Sequence, residues 1–279
     1  MSNSRPPSAL ESRVKELEKE NIELRQRLHQ VEKDRTEYLQ NVSHQLVAPL
    51  NAIKWHIENL TQARIGVERA HKVLRSVYSQ ATLLVHLAKN FNLMSNLDAD
   101  HALEALKEPL QEVELCQLLV NLADDFQPMA WDKEVKIAVE RGELDEIPPV
   151  VAIRPLISQV FSNIIENAVK YSSANTAIKI GGRYDSKTGG VGVIISSKGI
   201  PLREDDEIRV FDRGFRSPEA KSKYPAGTGF GLYIARRIIE IHQGTIGAWS
   251  TGGNTSFEVR LSVNGLKEKL PLQQKGHTK

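Results

Sequence analysis

Two groups of residues in this chain have the types and spacing to do chemistry. The first surrounds His44, in the stretch from Tyr38 to Leu60, YLQNVSHQLVAPLNAIKWHIENL. An imidazole changes charge near neutral pH, and its ring nitrogens serve as nucleophile or as acid and base. The second joins Asn163, Asn167, Lys170 and Tyr171 to the later run Gly227-Thr228-Gly229-Phe230-Gly231-Leu232. Asn163, Asn167 and Lys170 fall at i, i+4 and i+7, which puts them on one helix face while the intervening isoleucines point to a core. An asparagine carbonyl suits Mg²⁺, which keeps waters and phosphate oxygens as its other ligands. Glycines let a backbone approach phosphate, and a helix N-terminus presents free N–H groups. The single cysteine, Cys116, cannot form an internal disulfide. Its neighbours Leu115, Leu118 and Leu119 mark it as a core thiol rather than a nucleophile.

The element carrying His44 is a long helix. Leu39, Val42, Leu46, Leu50, Ile53, Ile57 and Leu60 recur at three- and four-residue steps and form one apolar stripe. His44 lies roughly 160° around the helix from both Val42 and Leu46, so it points to solvent. Pro49 lacks the donor for the carbonyl of Gln45 and should bend the axis there. The other histidines (His29, His56, His71, His86, His101, His242 and His277) have no comparable sequence around them.

Upstream, a heptad pattern places Leu10, Leu17, Leu24, Val31 and Tyr38 at one core position and Val14, Asn21, Leu28, Arg35 and Val42 at the other. In a parallel dimer the flanking pairs would be Arg13 with Glu18, Glu20 with Arg25, and Arg27 with Glu32, all opposite in sign. Asn21 is the kind of core polar residue that fixes register. A parallel homodimer is therefore expected, with residues 1–37 as a disordered start (1–8) and coiled coil. Residues 38–97 form a helical hairpin, its second helix running from Val67 to Leu97 after a polar turn at 63–66. That helix turns Leu74, Val77, Ala81, Leu84, Leu87, Ala88, Phe91 and Met94 inward, and two chains give a four-helix bundle.

Residues 98–109 read as a hinge and 110–265 as a two-layer α/β sandwich, built from a short strand and helix over 113–131, strands at KIAVERG and PPVVAI, and a helix from Arg154 to Tyr171. The first of these segments, VELCQLLVNLADDFQPMAW, spans 113–131, and a strand pair, TAIKIGGRY and GGVGVIIS, follows. An irregular stretch from Lys198 to Ala226 precedes a helix from Thr228 to His242 and two closing strands, and 266–279 is a flexible tail. The fold class is thus α plus α/β.

With 279 residues, 40% of them hydrophobic, the chain can bury a real core. Its 37 Lys+Arg against 35 Asp+Glu give no nucleic-acid or membrane-surface affinity. No run approaches the ~20 apolar residues of a membrane span, and the first residues lack a signal-peptide core. A cytoplasmic setting is expected, for a short protein or a piece of a longer one.

Ser43-His44-Gln45-Leu46-Val47-Ala48-Pro49-Leu50 resembles the phospho-acceptor box of sensor histidine kinases, usually S-H-E-L-R-T-P-L. SNIIENAVKY (162–171) resembles the N box of the histidine kinase and gyrase-type ATPases, VFDRGFRS (210–217) an F box, and GTGFGL (227–232) a G2 box. Thr255, in GGNTSF, resembles the last conserved turn beside the adenine pocket. The resemblance covers nearly all of the chain after the first coiled segment. It implies ATP and Mg²⁺ in the 110–265 domain, with Asn167 as the Mg²⁺ ligand and Lys170 on phosphate. Arg213 and Arg216, flanking a lid, would reach phosphate or stay solvated. Gyrase-type enzymes carry a Glu base for water where this chain has Asn163, which favours a kinase over an ATPase.

Three positions depart from the family pattern. Aligned on Gly199 and Leu202, Ser197 replaces the Asp that accepts the adenine amino hydrogen, a change that weakens ATP binding about ten- to hundredfold. Gln45 replaces the Glu base beside the acceptor, for about 10²-fold or more in rate. Ala48 stands where relatives carry the Thr or Asn that positions water, so little phosphatase activity is expected. The resemblance implies a homodimeric ATP-dependent protein-histidine kinase that autophosphorylates His44 and passes the phosphoryl group to an aspartate of a response-regulator receiver domain. The alternative is a dimeric pseudokinase or scaffold that binds nucleotide weakly.

Overall fold

A computed structural model describes residues 9–62, 66–98, 109–225 and 227–266. The start at 1–8, positions 63–65 of the polar turn, 99–108 of the hinge, Ala226 and the tail from 267 lie outside the described residues. Residues 1–44 form one unit and residues 45–279 the other. Helix α1 (Ala9–Gln62) runs through that boundary without interruption, Pro49 included.

Within the first unit, the heptad residues Val14, Leu17, Leu24, Leu28 and Val31 are all exposed in the single chain. The side chains of Leu10, Arg35 and Tyr38 are outside the described set. Arg13 pairs with Glu16 on its own helix at 2.7 Å, a pair open to water and worth little. His44 is exposed, as its angle from the stripe requires.

The second unit begins with the rest of α1, where Pro49 is buried but Leu50 and Ile57 of the stripe are exposed. Helix α2 (Val67–Asp98) packs against three helices of the following domain, α3 (Leu115–Trp131), α5 (Arg154–Tyr171) and α8 (Gly231–Ile241). That contact covers one flank of α2 in the single chain. Met94 is fully buried, and Val77, Ala81, Leu84, Leu87 and Phe91 are half-buried. Leu74 and Ala88 are exposed, whereas Ser79 and His86 are buried. A helix covered on one flank by another domain buries the residues on that flank, whatever their polarity.

The domain from 109 to 266 holds a five-stranded sheet in the order β2-β4-β5-β7-β6. Strand β2 (Lys136–Val139) runs parallel to β4 (Ala177–Asp185). Strands β5 (Gly190–Lys198), β7 (Asn254–Ser262) and β6 (Thr245–Thr251) continue antiparallel. A two-stranded ribbon pairs β1 (Gln111–Val113) with β3 (Val150–Ala152). Alternation along β4 and β5 buries Ile178, Ile180, Val191, Val193 and Ile195. The main helices contribute Phe126, Ile157, Phe161, Ile164, Ile165, Ile234 and Ile238 to the same core. Helix and sheet thus form the two layers expected.

Helix α5 starts with Pro155 in its first turn, where a missing N–H costs nothing, and ends at Tyr171 as anticipated. The stretch expected to be irregular contains two short helices, α6 (Asp206–Arg209) and α7 (Pro218–Lys223), in addition to α4 (Arg141–Asp145) earlier in the chain. The Ser217 hydroxyl caps α7 by accepting the Ala220 N–H at 3.2 Å. Helix α8 starts at Gly231, three residues later than anticipated, because Gly229 holds φ at +73°. Cys116 is half-buried rather than in the core, and its thiol donates to Asp145 Oδ1 at 2.9 Å. Burial, then that hydrogen bond, pushes the thiol up from its ordinary pKa, which disfavours the thiolate. No described helix is long and apolar enough to cross a membrane.

Candidate nucleotide pocket

A pocket opens between α5, the end of β5, the 198–230 loop and the start of α8. Its polar lining includes Asn167, Lys170 and Thr228, with the glycine run Gly227, Gly229 and Gly231 and Leu232 beside them. Its apolar lining includes Ile200, Leu202, Val210 and Phe257, with the hydroxyl residues Ser197 and Thr255 joined to that group through the 200–202 loop and the β5–β7 pairing. Tyr171, Arg216 and Gln45 also line it.

Several predicted site residues, some in the pocket lining and some outside it, serve its frame. A Cβ at Gly229 would sit 2.7 Å from the Gly214 carbonyl carbon and the Phe215 oxygen, so the positive φ and the tight approach both require glycine. Gly199 packs on the backbone at Tyr171 and Ser172, bridging β5 to the end of α5, and a side chain there would collide with the Tyr171 carbonyl. Phe230 carries the Arg213 guanidinium over its ring at 5.8 Å. Arg213 itself lines a separate groove with Arg203, Asp206 and Arg209. Arg216 is used differently from the phosphate contact anticipated. Its guanidinium donates to the carbonyls of Pro225 (3.0 Å), Gly227 (2.8 Å), Ala220 (2.9 Å) and Tyr224, stapling the loop that covers the pocket.

The end of α5 anchors that loop. Lys133 Nζ donates to the Lys170 carbonyl at 2.8 Å and contacts Tyr224, whose ring lies 4.4 Å beneath the charge. Lys223 Nζ donates to the carbonyls of Tyr171 (3.2 Å) and Ser172 (3.3 Å). Two cations therefore meet the C-terminal carbonyls of α5, where the helix dipole favours them. Burial, then the charge of Lys170, pulls the Lys133 ammonium down to about 8.

Asn163 departs from the expected face. It is buried, its Oδ1 accepts from Asn90 Nδ2 of α2 at 2.7 Å, and its own Nδ2 has no described partner. The docked flank of α2 continues this polar cluster. Gln159 Nε2 donates to Asn90 Oδ1 at 2.9 Å and lies 3.0 Å from His86 Nδ1, and His86 Nε2 lies 2.9 Å from Glu166 Oε2. Burial works to raise the Glu166 carboxyl. The hydrogen bond and charge of His86, with Lys170 beyond, outweigh it and hold the group below the usual carboxylate range. Glu166, Leu87 and Asn90 also line the pocket and were not singled out from sequence. His86 and Asn90 share a helix face at i and i+4, but no residue of α2 says that this face meets α5.

Residues 152–265 match the family model described as histidine kinase-, DNA gyrase B- and HSP90-like ATPase. That stretch of the chain is similar to this ATPase family. The histidine protein kinase SaeS of Staphylococcus epidermidis is 26% identical over 210 residues, 75% of this chain and 58% of that protein. The heme sensor protein HssS of Staphylococcus aureus is 29% identical over 244 residues, 87% of this chain and 50% of that protein. The chain spans about half the length of the curated relatives it matches. A crystal structure of full-length ShkA in complex with AMPPNP matches with a TM-score of 0.53 at 22% identity, over 81% of this chain and 45% of that one, a likeness of fold. The resemblance to sensor histidine kinases read from the boxes is borne out in the family of the domain, in its relatives and in the α plus α/β fold.

Proposed function

We propose that this chain is an ATP-dependent protein-histidine kinase of the two-component type, acting as a homodimer. The observation that carries the reading is one pocket wall that combines Asn167, Lys170 and the glycine turn before α8 with Gln45, the residue next to His44 in the chain. ATP places its phosphates where Lys170 and the free N–H groups of the α8 N-terminus meet negative charge. Among the described residues no three His, Cys, Asp or Glu side chains are gathered to hold a metal. Asn167 on the pocket wall offers an amide oxygen that fits Mg²⁺, which fills its remaining positions with phosphate oxygens and water, so Asn167 would hold it. Bound there, Mg²⁺ would neutralise phosphate charge during transfer.

Asn163 supplies no base to activate water, which favours transfer of the γ-phosphoryl group to the exposed His44 ring over hydrolysis. An amide at 45 can hydrogen-bond an imidazole but cannot remove its proton. An aspartate of a response-regulator receiver domain then takes the phosphoryl group. The exposed Leu17, Leu24, Leu50 and Ile57 support a second copy as the cover of the α1 seam.

A scaffold that binds nucleotide weakly is the second reading, and the observation favouring it is that two departures, Ser197 and Gln45, both stand on the pocket wall. Incubating the protein with γ-labelled ATP and Mg²⁺ beside a His44→Ala variant separates the two. Label lost only in the variant supports the kinase. Label in neither sample supports the scaffold.

A further inference from the structure

A nucleotide has one flat, weakly polar end and one anionic end, and the lining of this pocket holds residues suited to each. The phosphates belong with Lys170 and the glycine run, so the base belongs among Ile200, Leu202, Val210 and Phe257. Joined to that group are the hydroxyls of Ser197 and Thr255, each 7% exposed and opposite one another across β5 and β7. Thr255 Oγ1 already donates to the Ile200 carbonyl at 3.0 Å and meets Ser250 Oγ at 2.9 Å, and Ser250 Oγ accepts the Leu202 N–H at 2.8 Å. These bonds fix the 200–202 loop against the sheet. Among the described residues none holds the Ser197 hydroxyl. The carboxylate that lines the pocket, Glu166, lies beside Asn167 on α5 and faces His86.

The edge of adenine presents an amino donor where the edge of guanine presents the O6 acceptor. A carboxylate only accepts, so it rewards the first and repels the second. A hydroxyl both donates and accepts. Resting on the reading of this pocket as a nucleotide site, we infer that it takes guanine as well as adenine nucleotides, with Ser197 accepting from the adenine amino group or donating to guanine O6.

Calorimetric titration of the full chain with ADP and with GDP, each with Mg²⁺, tests this, alongside Ser197→Asp and Ser197→Ala. The wild-type dissociation constants should agree within about tenfold, the range of one neutral hydrogen bond. Ser197→Asp should tighten ADP and weaken GDP, moving their ratio by about thirtyfold or more. Ser197→Ala, the milder variant, should weaken both by similar factors. A wild-type preference for ADP of about a hundredfold or more, or a ratio that Ser197→Asp leaves unchanged in a folded protein, overturns the inference while the nucleotide site stands. Binding of neither nucleotide overturns the site and this inference together.

Discussion

Gln45 and His242 show how far one side chain can set behaviour. An amide at 45 cannot take a proton from an imidazole, so Gln45→Glu should raise the rate of γ-phosphate labelling at His44 by about 10²-fold. An equal rate in the two proteins would remove the general-base argument. His242 is buried where α8 ends. Its Nε2 accepts the Ile153 N–H at 3.1 Å, so the ring proton sits on Nδ1, which faces the Ile238 carbonyl at 2.8 Å. Burial lowers its pKa, and the Ile238 hydrogen bond only partly offsets this. The unfolded chain therefore binds a proton first as pH falls through about 6.5. Thermal unfolding should show stability dropping as pH goes from 7 toward 5, and His242→Gln should flatten that slope. Gly229→Ala, forced to a positive φ against the 214–215 backbone, should cost about 1–3 kcal/mol or abolish nucleotide binding. Titration with ADP and a melting curve would check it.

Between elements, the decisive contact is α2 against α5. His86, Asn90, Gln159, Asn163 and Glu166 form one buried polar network across it, on the side of α5 that continues into the pocket through Asn167. Buried polar networks hold a specific arrangement because any partner lost leaves another unsatisfied. His86→Ala removes the donor facing the Glu166 carboxylate and should cost about 1–3 kcal/mol. It should also free α2 from the domain, visible as faster hydrogen exchange along 77–94 while the sheet stays protected. Unchanged exchange would mean that the apolar contacts of Leu87, Phe91 and Met94 hold the helix by themselves. The sign of the pH effect follows from the lowered Glu166 pKa. Its contribution is fully present above about pH 4.3 and is lost as pH falls through the folded value. The loop over the pocket is tied in a parallel way, with Arg216, Lys133 and Lys223 each bound to backbone carbonyls.

At the scale of the whole molecule, the single chain leaves an apolar seam open along α1. Leu17, Leu24, Leu28 and Val31 are more exposed than folded proteins usually leave such side chains, and Leu50 and Ile57 repeat the pattern beyond His44. Leu24→Asp should convert a dimer into a monomer, measured by light scattering across a concentration series. A monomeric wild type would defeat the coiled-coil reading. With 37 basic and 35 acidic side chains, net charge supplies no attraction between copies, so a dimer would depend on this seam.

Much of this was legible in the residues themselves. Helix α5 has the bounds its isoleucine spacing and Pro155 dictate, the paired strands lie where alternation puts them, and the N box and G2 box share a pocket. These are short-range signals, in which each residue's neighbours along the chain decide its conformation. The sequence also determined that His44 faces outward, since helical geometry fixes that angle from the stripe. Only the tertiary structure decided which flank of α2 would be buried, that Arg216 would hold backbone carbonyls of the covering loop, and that Asn163 would face Asn90 instead of the pocket. Those choices depend on which surfaces meet across tens of residues, and periodicity records that a face is apolar without recording what covers it.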